Sequence, residues 1–310
     1  MKLAFVFPGQ GSQAVGMLNA WVDNEVVQNV MKQAGGALGQ DLLQLIADGP
    51  AEQLNLTTNT QPVMLASSYA MYQAYLVAGG VKPTVVAGHS LGEYTALAAA
   101  GVVGLEDAVR LVRIRANAMQ EAVPVGSGSM AAVLGLDDDT VRQVCQQAAQ
   151  GEVVEAVNFN APAQVVIAGS KDAVNRACVL AKEAGAKRAL VLPVSAPFHS
   201  SLLEPAATVL ADALAGLNFT TPAFDVINNV DVAVVDDPVA IKDALVRQAW
   251  HAVRWVETIQ KMQADGVTHI VECGPGKVLT GLVKRISPEL NALSINDPAS
   301  LVAVLEIIKE

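Results

Sequence analysis

Five residue types at particular spacings could do chemistry in this chain. The first set is Gly88-His89-Ser90-Leu91-Gly92, in which a serine has a glycine two residues to either side. Glycines so placed let a strand turn abruptly into a helix and push the serine hydroxyl outward, the geometry of a nucleophile elbow. The residue after the serine opens the helix, so the Leu91 N–H would be a free donor at a positive helix end, suited to a developing oxyanion. The alternative reading is a glycine-flanked turn in a buried strand–helix unit. Thr84-Val85-Val86 before the serine is strand-like and Leu91 to Ala100 is helix-like, the context the elbow requires.

A serine at such a turn needs a base, and the chain has only four histidines. His89 is adjacent to Ser90 at a strand end, so its side chain points the other way and suits packing. His269 begins a strand beside Thr268, and His251 follows Trp250 near a helix end, where capping or surface roles fit. His199 stands in an irregular, proline-framed loop, Pro193 to His199, where the chain passes between two regions of different pattern, and clefts form at such junctions. It is the candidate general base. No Asp or Glu stands out as the third member of a triad, and a carbonyl can fill the same place on Nδ1.

Further candidates are Arg115 and Gln10. Arg110, Arg113 and Arg115 lie on one predicted helix, Leu105 to Glu121; steps of three and five residues are about 300° and 500° around its axis. Arg110 and Arg113 therefore share a face, while Arg115, among Ile114, Ala116, Ala118 and Met119, is the arginine to bury. A solvated surface charge is the alternative for each. Pro8-Gly9-Gln10-Gly11-Ser12-Gln13 follows a first strand, Leu3 to Phe7, but G-x-G-x-x-G and G-x-x-x-x-G-K-[ST] are both absent, so a side-chain amide donor fits better than a phosphate cradle.

These side chains must be positioned by a scaffold that 310 residues can supply as roughly two domains, burying about three quarters of the unfolded surface. Apolar residues make up 52%, charged ones 16% and aromatics 4%, so the core is Ala, Val and Leu, a composition suited to a parallel sheet under helices. A net charge of −10 argues against nonspecific binding to nucleic acid or an anionic membrane. No segment reaches the ~18 apolar residues of a membrane span, and the apolar run before Pro8 is too short for a signal peptide. Cys145, Cys178 and Cys273 are odd in number and far apart, which suggests neither disulfides nor a metal cluster and fits a reducing cytoplasm.

Along the chain, helical patterns run from Asn24 to Leu76 with breaks expected at Asp48-Gly49-Pro50 and Asn59-Thr60-Gln61-Pro62, so that a long helix covers Val63 to Ala78. From Gly126 to Ser195 the order changes: strand 130–134, helix 138–149, strands 153–158 and 164–168, helix 172–184 and strand 188–194. That βαββαβ order predicts a ferredoxin-like small domain, 126–196, inserted into a large α/β domain formed by 1–125 and 197–310. Beyond His199 the pattern returns to helix 202–214, strand 224–228, helices 241–249 and 256–265, strand 269–272, the turn Gly274-Pro275-Gly276-Lys277 with helix 278–285, and a last strand and helix. There is no internal repeat or low-complexity tract.

Phe7-Pro8-Gly9-Gln10-Gly11-Ser12-Gln13, Gly88-His89-Ser90-Leu91-Gly92-Glu93, Arg115 with Met119-Gln120-Glu121, Val157-Asn158-Phe159-Asn160, His199 and Gly274-Pro275-Gly276-Lys277, in this order, resemble the malonyl-CoA:acyl-carrier-protein transacylase family over essentially the whole chain. The resemblance implies an α/β-hydrolase-like large domain with a ferredoxin-like insert. It implies Ser90 as nucleophile, His199 as base and acid, the Gln248 carbonyl as the acceptor orienting the histidine, and Gln10 with the Leu91 amide as oxyanion hole. Arg115 would pair with a malonyl carboxylate, with Met119, Asn158 and Phe198 also in the substrate site; Phe198 would crowd an α-methyl group. The implied partners are malonyl-CoA, a substrate and not a cofactor, and acyl carrier protein, met by a monomer through a ping-pong exchange. No cofactor and no metal are expected. Lys187-Arg188 and Lys284-Arg285 are candidates for meeting an acidic carrier, against the reading of scattered solubilising charges. The residues alone leave open an esterase or thioesterase using Ser90 and His199, a noncatalytic acyl-CoA-binding subunit, and service to a fatty-acid, polyketide or malonate-decarboxylase carrier.

Overall fold

The computed structural model describes residues 1–194 and 196–309; Ser195, in the predicted exit segment, and Glu310, in the expected large domain, lie outside the described residues. In chain order the elements are β1 (Leu3–Phe7), α1 (Glu25–Leu38), α2 (Leu42–Asp48), α3 (Ala51–Leu54), α4 (Thr57–Val77), β2 (Val85–Gly88), α5 (Gly92–Ala99) and α6 (Leu105–Glu121). Next come β3 (Gly128–Leu134), α7 (Asp138–Ala149), β4 (Val154–Ala161), β5 (Gln164–Ser170), α8 (Lys171–Glu183) and β6 (Arg188–Val191). The chain ends with α9 (Glu204–Ala215), β7 (Asp225–Ile227), α10 (Pro238–Gln248), α11 (Trp255–Ala264), β8 (His269–Cys273), α12 (Val278–Ile286), β9 (Asn291–Ile295) and α13 (Pro298–Ile308).

The protein is mixed α/β with two sheets. One is parallel, in the order β7-β2-β1-β8-β9, and its central strands β1 and β2 are buried along their whole length, as continuous apolar runs require. The other is antiparallel, in the order β4-β5-β3-β6, with α7 and α8 packed on it around a separate apolar cluster that includes Val133, Val144, Ile167 and Ala177. Much of the small aromatic complement is spent where α4 meets β1: Tyr72 lies edge-on to Phe5 and Phe7 at 5.5 and 5.9 Å between ring centres. Such pairs add about 0.5–1.5 kcal/mol each beyond the area they bury.

Phe7 of β1 pairs with Gly88 of β2, so the loops that follow these two strands leave the sheet at the same edge, the carboxyl edge where α/β proteins form crevices. The antiparallel sheet is fastened beside that edge. Phe159 N–H donates to the Val253 carbonyl at 3.0 Å and Val253 N–H to the Val157 carbonyl at 2.8 Å. Glu155 accepts from the Ser201 N–H at 2.8 Å and its hydroxyl at 2.7 Å. Arg285 donates to the Pro162 carbonyl at 2.9 Å and to the Gln164 side chain.

Three expectations change. The break at Asn59-Thr60-Gln61-Pro62 does not occur: α4 begins at Thr57 and runs through Pro62. A proline inside a helix costs about 3 kcal/mol, and here burial offsets it, since Thr57 and every residue from Thr60 to Ser68 are buried. The helix expected from Leu202 starts as a 3₁₀ turn, Ser201–Leu203, and becomes α-helical at Glu204 with Pro205 in its first turn. The strand expected to reach Val194 stops at Val191, because Pro193 has no N–H for a ladder. Among the described residues no helix is long and apolar enough to cross a membrane.

Candidate active site

Ser90 stands at φ 52°, left-handed backbone that a non-glycine residue adopts only where its surroundings impose it. The two flanking glycines are required by contact: a Cβ on Gly88 would lie 1.8 Å from the Gly92 carbonyl, and one on Gly92 would lie 2.1 Å from the Phe7 carbonyl oxygen. Leu91 has helical dihedrals and caps α5, and its N–H makes no hydrogen bond among the described residues. The elbow read from the motif is therefore formed, with a donor left free beside the serine.

His199 is also at positive φ, 65°, and only 3% exposed. Its Nε2 is 2.7 Å from Ser90 Oγ and its Nδ1 is 2.9 Å from the main-chain oxygen of Gln248, the C-terminal residue of α10. A carbonyl only accepts, so Nδ1 carries the proton, leaving Nε2 as the acceptor for the serine O–H. Burial, and then the Arg115 charge, lower the imidazole pKa to about 3, which keeps it neutral at physiological pH.

Arg115 projects from α6 into the same place and is 2% exposed. One terminal nitrogen donates to Gln61 Oε1 at 2.7 Å; the other donates to Gln248 Oε1 at 3.0 Å and Ser90 Oγ at 3.2 Å. The guanidinium lies 5.3 Å from the centre of the Tyr94 ring. Its Nε is buried without a partner, and none of the ion pairs among the described residues involves it. A buried cation that no carboxylate pairs is costly unless an anion arrives. Arg110 and Arg113, as expected, face elsewhere: Arg110 reaches Glu106 and Asp107, and Arg113 reaches Gln40.

Ser90, Leu91, Arg115 and His199 open onto a cavity of about 530 Å³, whose opposite wall includes Met130 and Asn158 of the antiparallel sheet and Phe198. Gln10 lines its mouth; its Oε1 accepts from the Thr57 hydroxyl at 2.8 Å, which turns the amide nitrogen away from that partner. Met119 is one layer back, its sulfur 3.9 Å from Gln61 Nε2. The other histidines are held by neighbours: His89 by Asn160 at 2.7 Å, His251 by the Arg247 carbonyl at 2.7 Å, and His269 by Thr268 at 2.9 Å.

Sequence reasoning missed Gln61, Asn229 and Glu93. Gln61 was hidden by the helix break assigned to it. Asn229 sits in the segment after β7 and touches the elbow only through the fold. Glu93 follows the elbow in sequence, yet it is 2% exposed, accepting from the Asn229 N–H at 2.9 Å and Gln248 Nε2 at 3.1 Å. Burial raises its pKa to about 7.

An α/β scaffold that holds a strained serine against a neutral imidazole, with a free main-chain amide alongside, defines the class as an acyl-transferring enzyme. The chain matches the acyl transferase domain family over residues 4–300. It is 52% identical over 307 residues to the malonyl CoA-acyl carrier protein transacylase of Escherichia coli K12, covering 99% of each chain. The acyl-carrier-protein S-malonyltransferase structure from Burkholderia pseudomallei is similar at TM-score 0.98 and 65% identity, over 99% of this chain and 100% of that one. A malonyl-transacylase solved in complex with a type II PKS acyl-carrier protein is similar at TM-score 0.98 and 49% identity, over 99% of this chain and 100% of that one. The chain belongs to the malonyl CoA-acyl carrier protein transacylase family, and it is an acyltransferase.

Proposed function

We propose that the protein transfers a malonyl group from malonyl-CoA to the pantetheine thiol of acyl carrier protein for fatty-acid synthesis, by a ping-pong mechanism through a malonyl-serine ester. Ser90 Oγ attacks the thioester carbon while His199 Nε2 takes the hydroxyl proton, and the Leu91 N–H and Gln10 receive the oxyanion. The C–S bond breaks and coenzyme A leaves as a thiolate that takes the proton from His199. The carrier's thiol then gives its proton to His199 and attacks the ester carbon; as the Oγ–C bond breaks, Ser90 Oγ takes that proton back and the malonyl group leaves as a thioester on the carrier. The Gln248 carbonyl holds the imidazole, and because a thiolate leaves readily, this neutral acceptor suffices where a poorer leaving group would call for a carboxylate.

The observation that carries the reading is Arg115, a buried guanidinium without a carboxylate, 3.2 Å from Ser90 Oγ. A malonyl unit on Ser90 ends in the carboxylate that such a planar donor set pairs bidentately. Asn158 and Phe198 would bound the rest of the acyl group, with Met119 supporting Gln61 from behind. An esterase or thioesterase has no use for this cation.

The architecture is read as an α/β-hydrolase-like large domain, 1–125 and 197–310, with a ferredoxin-like small domain, 126–196. The order of the antiparallel strands, second-third-first-fourth within that segment, supports the second assignment. The protein is further read as a cytoplasmic monomer that needs no metal or cofactor and binds neither nucleic acid nor membrane, in keeping with its charge of −10. Intact-mass spectrometry tests the function. Brief exposure to malonyl-CoA should add one malonyl group at Ser90, and holo carrier protein should then remove it; an adduct that water clears as fast as the carrier does would overturn the transferase reading.

A further inference from the structure

Ser90 has left the ladder of β2 and has not yet entered α5, so regular structure supplies no partner for its N–H. Asn229 does. Its side chain spans the turn: Oδ1 accepts the Ser90 N–H at 2.8 Å, and Nδ2 donates to the Gly88 carbonyl at 2.7 Å. The residue is wholly buried, at 0% exposure. Its own main-chain N–H is fixed by Glu93 Oε2 at 2.9 Å, and Glu93 also takes Gln248 Nε2 at 3.1 Å. Gln248 Nε2 in turn reaches the Ser90 carbonyl at 2.9 Å. The turn is thus gripped on its N–H side by Asn229 and on its carbonyl side by Gln248.

Backbone at positive φ is strained for a non-glycine residue, and it persists only when its surroundings over-determine it. The two short hydrogen bonds from one buried side chain supply that constraint. The side chain must carry an acceptor and a donor in one short planar group. Aspartate has no donor when ionised, and leucine has neither.

We infer that Asn229 is a positioning residue for Ser90: it aims the hydroxyl at His199 and, by occupying the Ser90 N–H, leaves the Leu91 N–H as the elbow amide free to meet the acyl oxygen. The inference rests on Ser90 being the nucleophile proposed above. A misplacement of about 1 Å at a reacting atom can lower a rate about 10²-fold.

The test compares wild type, Asn229→Ala and Asn229→Asp, with rates normalised to the folded fraction by circular dichroism at 15 °C or another temperature at which wild type is fully folded. Two quantities are read: the rate at which phenylmethylsulfonyl fluoride labels Ser90, by intact mass, and the split between kcat and KM for malonyl-CoA. Both variants should lose on the order of 10²-fold in labelling rate and in kcat, with KM nearly unchanged. Normal labelling and kcat per folded molecule, or a loss carried by KM, would overturn the inference. So would two variants that never fold, since the asparagine would then serve the fold and not the aim of the serine. Wild type that is not labelled at Ser90 would instead sink the nucleophile itself, so the two failures are distinguishable.

Discussion

The group that orients His199 is the main chain of Gln248: Nδ1 lies 2.9 Å from the carbonyl oxygen, while the side chain of the same residue binds Arg115, the Ser90 carbonyl and Glu93. Substituting that side chain therefore leaves the acceptor for the imidazole in place. Gln248→Ala should retain the wild-type pH dependence of acylation. It should lose about 10–100-fold in kcat/KM for malonyl-CoA, the scale of one hydrogen bond to a charged group, about 1.5–3 kcal/mol. Pre-steady-state acylation across pH checks this, and a displaced pH profile would contradict it.

Arg115 makes a sharper prediction, because the carboxylate it lacks would come with the substrate. Removing one side of a buried ion pair costs about 3–5 kcal/mol. Arg115→Ala should therefore depress malonyl transfer by roughly 10²- to 5 × 10³-fold and acetyl transfer far less. Arg115→Lys should rescue little, since an ammonium cannot hold Gln61, Gln248 and a carboxylate in one plane. Equal losses for malonyl and acetyl groups in the two half-reactions would refute the assignment.

Much of this site was legible because its chemistry is local in sequence. The elbow needs glycines at 88 and 92 for reasons that two clashing carbonyls now make explicit, and Arg115 was distinguished by its apolar neighbours on α6. His199 could be chosen because it alone of the four histidines stands in a proline-framed irregular loop at a junction between two regions of different pattern. What stayed hidden was set by tertiary burial. Pro62 reads as a stop, but the helix around it is enclosed and continues, and that continuation delivers Gln61 to Arg115. Asn229 is 139 residues from Ser90 in sequence and shows no periodicity or motif of its own.

Gln10 lines the mouth of the cavity with its carbonyl oxygen held by Thr57. If its amide helps to receive the oxyanion, Gln10→Ala should lower kcat about 10²–10³-fold, the usual effect of losing one such donor. Turnover within a few-fold of wild type, measured with the KM for malonyl-CoA unchanged, would take the side chain out of the mechanism.

The buried ionisable groups give opposite pH signatures in stability. His199 is depressed from its ordinary value of 6.5 to about 3, so the unfolded chain binds a proton that the folded chain refuses; its contribution is complete above pH 6.5 and is lost as pH falls toward 3. Glu93 is raised from 4.5 to about 7, so the folded chain holds a proton the unfolded chain has lost, and stability from this group falls as pH rises from 4.5 to 7. Glu93→Gln removes only the second effect. Its unfolding free energy relative to wild type should rise with pH between 4.5 and 7, by at most about 1.4 kcal/mol per pH unit, and its relative Tm should rise with it. A difference in Tm that stays flat across that window would show that Glu93 does not titrate there.

A carrier protein acidic overall would be repelled at long range by a chain of net charge −10, and a local cationic surface would offset that repulsion on docking. Screening beyond about 8 Å at physiological salt makes that feasible. Of the two candidate pairs, Arg285 is already engaged with Pro162 and Gln164, where it fastens the antiparallel sheet. Lys187 and Arg188 are exposed where β6 begins, and β6 leads into Leu192 and Val194 at the cavity wall. Reversing both charges, Lys187→Glu with Arg188→Glu, should slow transfer to the carrier by about tenfold or more at low salt, since steering acts chiefly on encounter. The loss should shrink as salt rises, and acylation by malonyl-CoA should stay within twofold of wild type. Reversal at Arg285 should differ in kind, impairing both half-reactions because it loosens the wall they share. Equal and salt-insensitive effects at the two places would mean that neither pair meets the carrier.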